Sequence, residues 1–263
     1  MDLGLTDKRV VVTGGASHIV QSIVFQLAGE GAQIAVIDRD VDQADRTAVE
    51  ASRRSGRAVH VVGADVGGKA VAEAVCTDAI ARLGGVDVLI TNVGYKHPEF
   101  FLKTPPQSWD ALIAVNLVAV MACVRAALPS MVEQGHGAVV STASTAAFGE
   151  PRQGIYAAAK AGVVAFIRTI ALGYGRHGVR ANLVAPGLTL PDAAAVVGDQ
   201  SLWRNRHSVM NDAKVDCVVM NTPLRRLPKS QDIANVVAFL ASDSAARLIA
   251  GQLITVAGGF AMR

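Results

Sequence analysis

Residues 9–38 read RVVVTGGASHIVQSIVFQLAGEGAQIAVID, and this stretch decides the fold. Its two short apolar runs, Val10–Val12 and Ile34–Ile37, have the length and the Val and Ile content of buried strands. Between them, apolar residues recur every four positions from Ile19 to Leu27, which is the period of an amphipathic helix, and Gly29 marks the end of that helix. The stretch therefore predicts a strand, a helix and a second, parallel strand.

The same alternation continues to the end of the chain and predicts the fold class. Further strand-like runs are Val59–Val62, Val86–Ile90, Val139–Val140, Val179–Val184 and Leu253–Val256. Helical segments are predicted at Ser108–Leu128, which Pro129 follows, at Ala157–Arg176 and at Gln231–Leu240. We therefore expect an α/β fold in which residues 1–263 form a single Rossmann-type doubly wound parallel sheet with helices on both faces. Residues 190–227 break the rhythm, and we interpret them as an insertion that covers a substrate.

Composition excludes several classes of protein. Hydrophobic residues make up 51% of the chain, and Lys and Arg number 25 against 22 Asp and Glu, a balance too even to favour a nucleic-acid partner. The three cysteines have no disulfide or zinc spacing, so no metal site is expected. The N-terminus has no export signal, and no long uninterrupted apolar stretch suggests a membrane span. A cytoplasmic protein is the expectation.

The glycine-containing turn at residues 13–20 lies between the first strand and the first helix, where the pyrophosphate of a dinucleotide rests on free backbone N–H groups. Asp38 ends the second strand, where a carboxylate accepts hydrogen bonds from the hydroxyls of an adenosine ribose. The same carboxylate repels a 2′-phosphate, which favours NAD over NADP, although Arg39 beside it weakens that preference. The alternative is that the glycines only make a tight turn.

Tyr156 and Lys160 place a phenol and an ammonium four residues apart, on one face of a helix if the helix has begun. A free tyrosine has a pKa near ~10, and a neighbouring cation stabilises its phenolate. Lys160 would thereby make Tyr156 a general base at neutral pH. The alternative is a solvated start of a helix, because this spacing also arises by chance.

Taken in order, these motifs resemble the short-chain dehydrogenase/reductase family along essentially the whole chain. The matching pieces are the glycine turn, Asp65-Val66, Asn92-Val93-Gly94, Asn116, the Ser144 region, Tyr156 with Lys160, Asn182–Gly187 and the tail Gly251–Gly259. In that tail Ala257 stands where the family usually has Asp.

The resemblance implies an NAD-dependent oxidoreductase that interconverts a secondary alcohol and a ketone. Tyr156 would take the alcohol proton, Ser144 would hold the substrate oxygen, Lys160 would bind the nicotinamide ribose and lower the pKa of Tyr156, and Asn116 would hold a water in the proton relay. The cofactor-binding residues it implies are Gly14, Ser17, His18, Ile19, Asp38, Arg39, Asp65, Val66, Asn92, Gly94, Tyr156, Lys160, Pro186, Gly187 and Thr189. It also implies a homotetramer that pairs through the Ala-rich helices and the C-terminal strand.

Two departures from the family pattern concern the site. His18 and Val20 occupy the second and third glycine positions of the turn, where side chains would weaken cofactor binding unless the turn shifts. A ring nitrogen of His18 donating to a phosphate is the alternative. The family's usual spacing before Tyr156 leads to Ala143, whereas the register of the preceding strand leads to Ser144. We favour Ser144, since strand register is stiffer than loop length.

Weaker candidates for substrate contacts follow the fourth strand or lie near the active-site helix: Tyr95, Lys96, His97, Phe148, Arg152 and Trp203. Their basic members would suit an acidic substrate, and the chain end resembles relatives that act on cyclic hydroxyacyl-CoA compounds.

Two rival functions remain open. One is a repurposed catalyst of isomerase, lyase or dehalogenase type with impaired cofactor binding, and the other is a catalytically silent scaffold subunit.

Overall fold

The computed structural model describes residues 2–15, 18–191 and 211–261. In this part of the chain seven strands form one parallel sheet in the order β3-β2-β1-β4-β5-β6-β7. The strands are β1 Arg9–Thr13, β2 Gln33–Asp38, β3 Val59–Gly63, β4 Val88–Thr91, β5 Gly137–Thr142, β6 Val179–Pro186 and β7 Leu253–Val256. The predicted α/β fold and all seven predicted strands are confirmed.

Helices connect the strands and cover both faces of the sheet. They are α1 Ile19–Gly29, α2 Val41–Ser55, α3 Lys69–Leu83, α4 Trp109–Ile113, α5 Ala119–Gln134, α6 Gly154–Tyr174, α7 Asp212–Met220, α8 Ser230–Ala241 and α9 Asp243–Ala246. A π-helical turn, Ala114–Val118, joins α4 to α5, and short 3₁₀ turns flank α4 and α6. The first predicted helix and the predicted helix at Gln231–Leu240 correspond to α1 and α8.

The two faces of the sheet follow from the alternation of side chains along each strand. In β1, Val11 packs in the core against α3, α5 and α6, whereas Val10 and Val12 pack in the core against α1 and α8. Each of these valines is 0% exposed. A strand buried on both faces has no polar side, which explains the continuous apolar runs in the sequence.

The helix predicted at Ser108–Leu128 ends later in the structure than the sequence indicated. Helix α5 runs through Pro129 to Gln134 and stops at Gly135, whose φ of 73° is left-handed. Proline removes one helical N–H, and the carbonyl that it leaves without a partner is that of Arg125. Both Pro129 and Arg125 are exposed, on the outer side of the helix, where the loss of one helical hydrogen bond is tolerated and the helix continues.

Two helical stretches, Pro106–Gln134 and Gly154–His177, are long and apolar enough to cross a membrane by length and composition alone. In the fold, 50% and 33% of their most apolar windows are buried. Helices α5 and α6 within these stretches pack on the sheet, as the core helices of a globular α/β fold do.

The predicted substrate-covering insertion at residues 190–227 is described only in part. Its second half forms α7, whose first turn is capped by Asn211, the side chain of which accepts a hydrogen bond from the Lys214 N–H. Residues 192–210, including Trp203, lie outside the described residues. The role of the insertion stays a prediction.

Gly15 sets how closely the turn after β1 approaches β2. An ideal Cβ at Gly15 would lie 2.1 Å from Cγ1 of Val36. We expect Gly15→Ala to lower the free energy of unfolding by about 1–3 kcal/mol, since a methyl group would be forced into a filled space. Denaturant unfolding measures the change, with Gly29→Ala as the control.

No atom lies within 4 Å of a Cβ at Gly29, inside α1, and the control should be as stable as the wild type or more stable by up to about 1 kcal/mol. Equal stability of the wild type and Gly15→Ala would contradict this account of the turn.

Candidate functional site

A crevice of about 780 Å³ opens at the carboxyl ends of the strands, where the strand order reverses between β1 and β4. The predicted site residues that line it are Gly14, His18, Ile19, Asp38, Arg39, Asp65, Val66, Asn92, Gly94, Ser144, Tyr156, Lys160, Pro186, Gly187 and Thr189. Asn116 does not line it, and Ser17 lies outside the described residues. The fold thus brings together, at one edge of the sheet, residues that the sequence predicted after six different strands.

The glycine turn keeps a glycine-like backbone at His18. This residue precedes α1 with φ 58° and ψ −124°, a combination that side chains rarely adopt and that costs about 1–3 kcal/mol. The backbone at this position has therefore not shifted to suit the larger residue. Val20, at the third glycine position, is 2% exposed and packs in the core between α1 and the sheet.

One end of the crevice is acidic. Asp38 ends β2, and its Oδ1 accepts a hydrogen bond of 2.9 Å from the Asp40 N–H. Nearby, Nη1 of Arg39 lies 3.6 Å from Oδ2 of Asp65. Both partners are well exposed, so this ion pair contributes at most about 1 kcal/mol. Asp40 also lines this end, so three carboxylates against one guanidinium leave it with a net negative charge.

Asn116 is 0% exposed and lies in the π-helical turn between α4 and α5. Its side-chain amide donates to the carbonyls of Tyr95 at 2.6 Å and Leu112 at 2.9 Å, and its Oδ1 accepts from the Tyr95 N–H at 3.1 Å. The amide thereby holds the backbone of the loop after β4. Its predicted role in a water relay stays a prediction.

Ser144, Tyr156 and Lys160 meet at the other end of the crevice. Ser144 follows β5, and its hydroxyl accepts a hydrogen bond of 3.1 Å from the Ala146 N–H. Helix α6 begins at Gly154, so Tyr156 and Lys160 lie one helical turn apart. Nζ of Lys160 donates to the Thr142 carbonyl at 2.8 Å and lies 5.9 Å from the centre of the Tyr156 ring.

The sequence left two positions, 143 and 144, for the residue that lies beside the Tyr156 hydroxyl. Ala143 is 2% exposed and belongs to the core that packs against α3, α5 and α6. Ser144 forms a hydrogen bond with the Tyr156 phenol that lowers the pKa of this phenol. This placement supports Ser144 as the residue beside the reacting oxygen.

Burial controls the ionisation of the pair. Burial raises the pKa of Tyr156 to about 12. The hydrogen bond with Ser144 opposes this increase, and the Glu150 carboxylate adds to it. Burial also lowers the pKa of Lys160 to about 8. The resemblance implied that Lys160 lowers the pKa of Tyr156. Desolvation of the phenol has the largest effect on its pKa in this structure, and the effect of Lys160, whose Nζ donates to the Thr142 carbonyl, stays a prediction.

Among the weaker candidates, Tyr95 and Lys96 line the crevice, whereas His97, Phe148 and Arg152 do not. Sequence reasoning missed Glu150, whose carboxylate acts on Tyr156 across a loop that has no recognisable motif. It also missed the Thr142 carbonyl, since a backbone group carries no residue-type signal. Among the described residues, no group of three or more His, Cys, Asp or Glu side chains is placed to hold a metal ion.

The chemistry of the crevice suits a dinucleotide. Its volume lies within the range of about 300–1,000 Å³ that small-molecule and cofactor sites have. A carboxylate lies at one end, the N-terminus of α1 opens onto it, and a buried ammonium lies at the other end. The described residues therefore fit a nicotinamide dinucleotide.

Comparisons with known proteins agree with this geometry. A family model described as enoyl-(acyl carrier protein) reductase matches residues 14–261. The 3-oxoacyl-[acyl-carrier-protein] reductase FabG of Staphylococcus epidermidis is 34% identical over 97% of this chain and 100% of its own length. The (2S)-[(R)-hydroxy(phenyl)methyl]succinyl-CoA dehydrogenase subunit BbsD of Thauera aromatica is 32% identical over 98% of both chains.

Among solved structures, levodione reductase superposes with a TM-score of 0.88 at 29% identity and covers 97% of both chains. The matches extend over nearly the whole chain, as the sequence motifs do. The chain belongs to the short-chain dehydrogenase/reductase family and is an oxidoreductase.

Proposed function

We propose that the protein is an NAD-dependent oxidoreductase that interconverts a secondary alcohol and a ketone. One observation carries the proposal: Ser144, Tyr156 and Lys160 meet at one end of a crevice whose other end holds Asp38. The names of the relatives support carbonyl chemistry, since FabG is named a 3-oxoacyl reductase and the solved structure a levodione reductase.

The cofactor would lie along the crevice, with the adenosine ribose at Asp38 and the nicotinamide ribose at Lys160. When bound, it supplies the hydride acceptor or donor for the substrate carbon. The residues implied to hold it are the fifteen named in the sequence analysis, of which all but Ser17 are described and line the crevice.

The protein's own residues position the substrate and move a proton. Ser144 holds the substrate oxygen, and Tyr156 exchanges a proton with that oxygen in either direction of the reaction. The buried Lys160, fixed by the Thr142 carbonyl, keeps a positive charge beside the phenol when it is protonated. The Asn116 amide acts as a positioning group, since it binds the backbone that lies next to Lys160.

The preference for NAD rests on the acidic end of the crevice. The Asp38 carboxylate accepts from ribose hydroxyls but repels a 2′-phosphate, and Arg39 is engaged with Asp65. The repurposed catalyst and the silent scaffold gain no specific support, because the proton-handling residues and the nucleotide-facing residues line one continuous crevice. A cytoplasmic location is part of the proposal.

A homotetramer is proposed from an apolar surface and a sheet edge. An apolar cavity of about 710 Å³ lies along α5 and α6, and its walls include Met121, Phe166 and Tyr174. Strand β7 is the last strand of the sheet and offers an open edge. Two self-complementary surfaces on one chain generate a tetramer with dihedral symmetry.

Cofactor preference is tested by calorimetric titration with NADH and NADPH. We expect the wild type to bind NADH at least about tenfold more tightly, because the phosphate of NADPH meets the Asp38 carboxylate. Asp38→Ala should lower the affinity for NADH by about tenfold and reduce the discrimination. Asp45→Ala, which removes an exposed carboxylate from α2, is the control and should change neither value. Equal wild-type affinities would overturn the preference, and no binding of either cofactor would overturn the proposed function.

The general base is tested by Tyr156→Phe. We expect kcat to fall by about 10²–10⁴-fold while the dissociation constant of NADH stays within about twofold, since only the proton-transfer group is lost. The rate of alcohol oxidation by the wild type should rise with pH, because the phenol must lose its proton to act as a base. Tyr174→Phe, at the far end of α6, is the control. Wild-type turnover in Tyr156→Phe would refute this assignment.

The oligomer is tested by sedimentation. We expect a tetramer at micromolar concentration and smaller species for Met121→Lys, because a buried ammonium beside Arg125 opposes association. Leu102→Lys, at a residue that is 97% exposed away from this cavity, serves as the control. A monomeric wild type would contradict the proposal.

A further inference from the structure

The loop after β4 forms a wall of the crevice at its reacting end. Gly94 lies next to the active-site lysine, since a Cβ at this glycine would be 3.8 Å from Nζ of Lys160. Two residues further along, Lys96 lines the same crevice as Ser144 and Tyr156. A lysine side chain therefore lines the crevice at the end where the substrate oxygen is held, far along the crevice from Asp38.

Hydrogen bonds hold this loop on both sides of Lys96. The preceding residue, Tyr95, binds the Asn116 amide through both its N–H and its carbonyl, at 3.1 and 2.6 Å. On the other side, the Glu99 N–H donates to the Arg152 carbonyl at 2.8 Å, and Nη2 of Arg152 donates to the Pro98 carbonyl at 3.1 Å. The backbone that carries Lys96 is thus fixed before any ligand arrives, which lowers the entropic cost of binding.

The charges around Lys96 connect it to the proton-handling group. The Glu150 carboxylate interacts electrostatically with both the Lys96 ammonium and the Tyr156 phenol. Burial lowers the pKa of Lys96, and Glu150 opposes that effect. Lys96 is half-buried, so its ammonium is partly desolvated. Glu150 is exposed, so the carboxylate that interacts with this ammonium lies towards solvent. An anion that enters the crevice would compete with Glu150 for this ammonium.

We infer that Lys96 makes the crevice selective for substrates that carry a carboxylate near the reacting carbonyl, with the ammonium binding that carboxylate and Ser144 holding the carbonyl oxygen. This inference rests on the proposed function and names its substrate class. Selectivity follows because the ammonium forms a charge-assisted hydrogen bond with a carboxylate, whereas a neutral analogue of the same shape offers only a weaker, uncharged acceptor.

The test compares ketone acids with their neutral esters. The substrates are acetoacetate and levulinate and the methyl ester of each, reduced with NADH, and the readout is the ratio of kcat/KM for an acid to that for its ester. We expect a ratio above one for at least one pair, and a fall of at least about tenfold in Lys96→Met. Lys96→Arg, which keeps the charge, should retain a preference for the acid. Lys103→Met, at an exposed lysine in the same connection, should keep the wild-type ratio.

A second variant changes the ratio in the opposite direction. Glu150→Gln removes the carboxylate that competes for Lys96, so the ratio of acid to ester should rise several-fold. Removing Glu150 also lowers the pKa of Tyr156, but that effect acts on the acid and the ester alike and cancels in the ratio. A purely structural role of Lys96 would not produce opposite changes in these two variants.

Binding gives a readout that does not depend on turnover. Butyrate and butyramide, titrated into the complex of the protein with NADH, should differ in affinity in favour of butyrate, and Lys96→Met should abolish the difference. Equal binding of the two probes by the wild type, or an unchanged acid preference in Lys96→Met, overturns the inference. Reduction of the esters without an acid preference refutes the role of Lys96 alone, whereas no NADH binding and no turnover of any ketone refutes the proposed function itself.

Discussion

Every strand of the sheet runs parallel to its neighbours. The chain must therefore cross back over the sheet from the end of one strand to the beginning of the next. All carboxyl ends therefore lie on one side of the sheet, although residues 13 and 186 are far apart in the chain. The reversal of strand order between β1 and β4 separates the connections at that side and leaves a crevice. The site depends on this constraint, because each of its residues lies just after a strand or on the first turns of a helix.

Desolvation determines the chemistry within that crevice. The phenol of Tyr156 and the ammonium of Lys160 are both withdrawn from water, and burial favours the neutral form of each. Neighbouring groups then adjust the balance, as Ser144 stabilises the phenolate and Glu150 opposes it. Burial also lowers the pKa of Lys96, whose ammonium is held in a half-buried position by a hydrogen-bonded loop. The Tyr156 phenol and the Lys96 ammonium thus share an interaction with one exposed carboxylate, that of Glu150.

The limits of sequence reasoning appear at particular residues. Pro129 suggested the end of a helix, but exposure on the outer side of α5 made the lost hydrogen bond tolerable. His18 was expected to weaken cofactor binding unless the turn shifts, and its backbone keeps a glycine-like conformation. For Asn116, a buried amide needed partners, and the sequence offered no means of finding that they are the backbone of Tyr95. At Asn116 a segment distant in sequence decided the outcome.

By itself, the sequence determined the fold class, the seven strands and fifteen of the residues that line the crevice. It did so because hydrophobic periodicity and the positions of residues after strands are local properties, and the rules of parallel sheets turn local positions into a common edge. Only the tertiary structure decided which groups are desolvated, that Lys160 bonds to Thr142, and that Glu150 faces both Tyr156 and Lys96. Those properties depend on the distance between segments remote in sequence, and electrostatic interactions and burial are set by distance in space.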